Sequence, residues 1–207
     1  MVLQSLMQVA FSNIVSRPVK KVIGTDVMVT QESRKVIPDK KFSHGVTVFP
    51  NIFTATNPRY MDLPEILNRI KNGNSKNHIV RIRAGETGLK NELSCICFSG
   101  IFTHRTEIGL IKHSGLICLD YHNPPDVSSF RERICMNPFT HAAFISPSGK
   151  GLKVIVRIAG NHTEAVRSLA KYFPAENLEL KAEVSNICFE SWDPKLYYNP
   201  HSLVFTP

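Results

Sequence analysis

The sequence predicts an α+β fold, a mixed and largely antiparallel sheet flanked by helices. Three observations lead there. Short β-type runs mix with short amphipathic helices, without the strict β-α-β repetition of a parallel sheet. Turn-forming pairs such as Pro50-Asn51, Pro124-Pro125 and Asp193-Pro194 punctuate the runs. At 207 residues, with 43% apolar and 20% charged residues, the chain has the length and balance to bury a core without staples.

Residues 1–40 carry apolar and basic patches with no strong period, so 1–45 reads as an N-terminal extension and 46–207 as the domain proper. Val46–Phe49 is a short strand. Asp62 is placed to cap a helix, with Glu65 three residues on completing a capping box. Leu63, Ile66, Leu67 and Ile70 then share one face, and Asn72-Gly73-Asn74 ends the helix. Ile79–Arg83 alternates like a strand with both arginines on one face. Leu93–Ile101 and Gly115–Leu119 are further β-type runs, and Val127–Met136 is a short helix. Ala142–Ile145 enters a Ser/Gly/Lys loop and Leu152–Ile158 leaves it. Thr163–Tyr172 is amphipathic, Asn186–Phe189 is a last strand, and a Tyr/Asn/Pro-rich tail follows.

The 25 Lys and Arg outnumber the 17 Asp and Glu, a surplus of +8 that favours polyanionic partners through counterion release. Five cysteines, an odd number, sit mostly inside apolar runs without a C-x-x-C pair; they read as reduced thiols of a cytoplasmic protein. No signal peptide and no apolar run of about 18 residues is expected, hence no membrane partner.

Two segments could carry chemistry. In Gly115-Leu116-Ile117-Cys118-Leu119-Asp120-Tyr121-His122 an apolar strand runs into Asp120, and His122 follows two residues later on the same face. The pair could converge on a divalent ion, although an apolar strand ending in a polar turn has the same pattern. In Ser146-Pro147-Ser148-Gly149-Lys150-Gly151-Leu152-Lys153 the glycines let backbone N–H groups approach a phosphate, while Ser148, Lys150 and Lys153 add a hydroxyl and charges. An ordinary Gly-rich hairpin also fits. The loop is not a Walker A sequence, because Gly151 follows Lys150 where Ser or Thr is needed. Arg157 reaches the same anion if its strand face agrees. Glu183, Glu190 and Asp193 are candidates for a third ligand. His104, His113 and His141 read as structural.

In order, Phe49-Pro50-Asn51, Arg81-Ile82-Arg83, Ser99-Gly100-Ile101-Phe102, His113–Asp120, Ser146–Lys153 and Cys188–Asn199 resemble the VirE N-terminal domain family over about residues 46–205. That family is a branch of the archaeo-eukaryotic primase (prim-pol) superfamily, which heads replication proteins of phages and mobile elements. The resemblance implies a prim-pol, RRM-like sheet with an N-terminal α/β lobe. It also implies template-directed nucleotidyl transfer with Mg²⁺ or Mn²⁺ on a single-stranded DNA template, using nucleoside triphosphates. Asp120, His122 and Glu183 would hold the metal. Ser148, Gly149, Lys150, Gly151, Lys153 and Arg157 would hold the nucleotide. His122 stands where the family has a second Asp, and Asn186 where it tends to have Arg. A catalytically degenerate nucleic-acid-binding module working with a helicase is the alternative. A two-histidine, tyrosine-nucleophile nickase is disfavoured, because His122 lacks a neighbouring His.

Overall fold

The computed structural model describes residues 41–207; the expected extension, apart from 41–45, lies outside the described residues. The described chain is α+β, and its strand pairings are antiparallel apart from one isolated parallel bridge, Ile158 with Phe205. One sheet joins β1 (Gly45–Phe49), β2 (Arg59–Asp62), β3 (Cys95–Cys97) and β10 (Cys188–Phe189) in the order β10-β3-β1-β2. The second joins β6 (Leu116–Tyr121), β7 (Thr140–Ile145), β8 (Leu152–Arg157), β9 (Leu178–Glu179) and β11 (Tyr197–Tyr198) in the order β11-β7-β8-β6-β9. A separate hairpin pairs β4 (Gly100–Phe102) with β5 (Leu110–His113). No described helix is long and apolar enough to cross a membrane.

Side-chain alternation in the second sheet decides where the site falls. Ile117, Leu119 and Tyr121 of β6, with Val154 and Val156 of β8, face α3 (Val127–Cys135) and α4 (His162–Leu169). The intervening residues Leu116, Cys118 and Ile155 face the other way, onto Val46, Val48 and Ile96 of the first sheet and onto α1 (Leu63–Asn72). Period 2 therefore sends Asp120 and Lys153 to this inner face, where the apolar packing gives way to charge.

Local rules account for the helix starts. Asp62 caps α1 in a complete capping box with Glu65, and Gly73 closes it in the left-handed region at φ 85°. Asp62 also accepts bonds from the Ser43 and His44 backbones, which ties the chain before β1 to the helix. Asn161 caps α4 through Glu164 N.

The segment Ile79–Arg83, expected as a strand, lies in helix α2 (Lys76–Arg83). Ile79 and Ile82 stand three apart, so a helix buries both against Leu93, while Val80 is exposed. The two arginines diverge: Arg81 pairs with Glu86, and Arg83 reaches the Ser146 and Trp192 carbonyls. The apolar run Leu93–Ile101 divides into β3 and β4, in different sheets, at the turn Phe98-Ser99. Tyr197-Tyr198, expected as tail, pairs with Ala143-Ala142 as an edge strand.

Candidate metal and phosphate site

Asp120 stands in the middle of a charged row that the sheet register builds. It is directly opposite Lys153 on β8 and opposite Glu179 on β9. Directly paired residues project from the same face, and so do residues two apart, which adds His122 and Lys181. Both lysine ammonium groups reach Asp120 Oδ2, Lys153 at contact distance and Lys181 at 3.1 Å. Lys181 also lies 3.0 Å from Glu179. His122 Nε2 is 2.6 Å from Glu179 and 3.4 Å from Asp120.

Burial sets the electrostatics. The Asp120 side chain is 7% exposed and that of Lys153 10%. Burial alone would raise the Asp120 pKa, but the Lys153 and Lys181 charges outweigh it and hold the carboxyl below its ordinary value. Burial likewise opposes the Lys153 charge; the neighbouring Cys188 thiol and the Asp120 carboxylate overcome it and raise the pKa. Glu179 is held low mainly by its hydrogen bond from Lys181, helped by His122.

Asp120, His122 and Glu179 each offer a ligand atom within 4.8 Å of the others. Two carboxylates and an imidazole form a donor set that could hold a divalent cation. Glu183, expected as the third ligand, is outside this trio. It is exposed and lines the cleft behind Asp120 with Lys181 and Asn186, because the short β9 puts Glu179, four residues earlier, in register with Asp120. Glu190 and Asp193 are structural. Glu190 is buried beneath a two-pronged Arg69 contact (2.7 and 2.9 Å) and Ser75, and Asp193 accepts from Ile145 N, Lys195 N and Arg131.

The Ser/Gly/Lys loop sits beside the trio. One cavity is bordered by Asp120, His122, Ser148, Gly151, Lys153 and Lys90. Three of the loop's amides, expected to face a phosphate, are taken internally. Gly149 N–H donates to Ser146 O, Gly151 N–H to Ser146 Oγ and Lys150 N–H to Ser148 Oγ. What the loop offers an anion is therefore chiefly side chains, the Ser148 hydroxyl and the exposed Lys150 ammonium. Gly151 is required for close approach: a Cβ there would lie 2.5 Å from the Tyr121 carbonyl oxygen. Gly149 turns the loop at φ 78°.

Two expected nucleotide residues are placed otherwise. Lys153 is committed to Asp120. Arg157 lies at the opposite end of β8, about 17 Å of strand from the loop, and its guanidinium bonds Ser202. The residues the sequence did not single out are Glu179, Lys181 and Lys90. The alternation Leu178-Glu179-Leu180-Lys181 is the period-2 signal that could have found the first two. Lys90 belongs to the 3-10 turn Thr87–Glu92, which has no pattern pointing to a site.

Fold and site together define an α+β protein whose two antiparallel sheets meet at a carboxylate, imidazole and ammonium cluster beside a basic loop. The family model described as BT4734-like, N-terminal domain matches residues 88–198, more than half of the chain, and the protein belongs to that family. No curated protein and no solved structure matches the chain.

Proposed function

We propose that the domain performs metal-dependent nucleotidyl transfer of the primase-polymerase kind, extending or starting a strand on a single-stranded DNA template. The observation that carries this reading is the Asp120, His122 and Glu179 trio, of which Asp120 and His122 line the same cavity as Ser148 and Lys90. The resemblance to the VirE N-terminal domain and prim-pol proteins supports it.

Asp120 and Glu179 would hold Mg²⁺ or Mn²⁺, with His122 as the neutral third donor. The ion supplies Lewis-acid charge at a phosphate oxygen. Lys90, Lys150 and Ser148 bind and orient the triphosphate as point charges and a hydroxyl. Lys153 and Lys181 keep Asp120 ionised and fixed on its strand, so the carboxylate is set before any ligand arrives.

The two ammonium groups on Asp120 Oδ2 favour a second reading, a nucleic-acid-binding module that acts with a helicase and has lost transfer. They occupy space and charge that a second divalent ion would use. Incorporation of labelled nucleotides on a single-stranded template, with Mg²⁺ and Mn²⁺ compared, separates the two. Extension that needs the metal and disappears in Asp120→Ala and Glu179→Ala is expected. Absence of incorporation with either metal would overturn transfer.

A further inference from the structure

Outside the metal trio, cations gather in one continuous band. Lys76 opens α2 and Arg83 closes it, about 10 Å apart along the axis. Their charged groups converge on Trp192, Lys76 Nζ at 4.9 Å and the Arg83 guanidinium at 5.9 Å from the ring centre. Arg83 also bonds Ser146 O and lies against Gly149, which places it under the loop next to Lys150. Lys90, 4.9 Å over the Phe189 ring, continues the band to the cavity beside Asp120.

The band is positive because the nearby carboxylates are occupied. Glu190 is held by Arg69 and Ser75, Asp193 by two amides and Arg131, Glu86 by Arg81, and Glu92 lies 3.5 Å from His78. Among the described residues, Lys76, Lys90 and Lys150 pair with no carboxylate. Cations interleaved with partly buried aromatic rings are the pattern of a track for a flexible polyanion whose bases can lie on apolar surface.

We infer that Lys76, Arg83, Lys150 and Lys90, with Trp192 and Phe189 between them, bind the phosphate backbone of a single-stranded nucleic acid and lead it to the Asp120 site. The choice of partner rests on the proposed function, whereas the binding itself needs neither metal nor nucleotide.

The test uses the whole chain, a fluorescein-labelled oligothymidylate and EDTA, with anisotropy read across a salt series. Each phosphate neutralised on a single strand contributes about 0.7 to the slope of log K against log salt, so Lys76→Ala/Lys90→Ala/Lys150→Ala should lower the slope by about 2. Lys112→Ala/Lys171→Ala, exposed lysines outside the band, should leave it unchanged. Trp192 is the chain's one tryptophan, so its fluorescence should change as the unlabelled oligonucleotide binds. Single Lys→Gln variants repeat the slope measurement should the triple variant unfold. An unaltered slope, silent Trp192 fluorescence, or a blunt duplex bound as tightly as the single strand would each overturn the inference. Failure of nucleotide incorporation would leave it standing, because no step of the assay involves transfer.

Discussion

The pairing of Asp120 with Lys153 should be the energetic hinge of the site, and a double-mutant cycle measures it. Both side chains are about nine-tenths buried, and Lys181 lies 3.1 Å from the same carboxylate. At that separation and an effective dielectric near 20, the gross attraction of a unit pair is about 5 kcal/mol, most of it offset by desolvating the ions. Removing one partner exposes the other's desolvation in full. Asp120→Asn should therefore cost about 3–5 kcal/mol. Lys153→Met should cost less, since Lys181 still faces Asp120. The double variant should be more stable than the sum of the singles by about 1.5–3 kcal/mol. Urea unfolding of the four proteins, followed by far-UV circular dichroism, gives the coupling. Additivity within about 0.5 kcal/mol would refute the argument. The pH dependence has a definite sign. Because the folded Asp120 pKa is lowered, its contribution is complete above the unfolded value of about 4 and is lost as pH falls through the folded value. Because the Lys153 pKa is raised, its contribution is complete below about 10.4 and fades as pH rises through the folded value. The coupling should thus be flat from about pH 5 to 9 and shrink in acid.

Tyr121→Phe should stabilise the fold by about 1 kcal/mol, since the Tyr121 hydroxyl is buried without a hydrogen-bond partner among the described residues; a urea midpoint below wild type would contradict this. Glu190→Ala should cost about 3–5 kcal/mol by stranding the Arg69 guanidinium, while Glu183→Ala should stay within about 0.5 kcal/mol, as an exposed position does. Thermal or urea unfolding of that pair separates a structural carboxylate from one that merely lines the cleft.

Where the sequence was legible, local rules and tertiary context agree. The α1 capping box, the strands β6, β7 and β8 and the position of Asp120 at a strand end follow from patterns within about ten residues. Asp120 and His122 sharing a face follows from period 2 alone. The misreadings occur where one pattern fits two periods. Ile79-Val80-Arg81-Ile82-Arg83 fits alternation, yet Ile79 and Ile82 also fit a helix, and the available neighbour, Leu93, selects the helix. Glu179, the acid that completes the Asp120 and His122 cluster, was hidden for a different reason. Glu179 and Glu183 are alike in local sequence, and only the pairing of Leu178–Glu179 with Tyr121–Asp120 distinguishes them. Arg157 illustrates the same limit: facing inward on β8, it is still at the wrong end of the strand.

The arrangement of the site follows from the shortness of β9. A longer edge strand would pair along all of β6 and bring a full row of side chains across the inner face. With two residues, β9 delivers Glu179 opposite Asp120 and then releases the chain, so Lys181 can turn back onto Asp120 while Glu183 and Asn186 line the cleft. Asp120, His122, Glu179, Lys90 and Lys150 all fall within the span 88–198 that the family model matches, whereas Lys76 and Arg83 precede it. The proposed chemistry and the proposed track therefore divide along the chain. The former is built on the second sheet and its loop, and the latter extends from that loop onto α2. Arg83 joins them, because its guanidinium touches Trp192 on one side and Ser146 of the loop on the other.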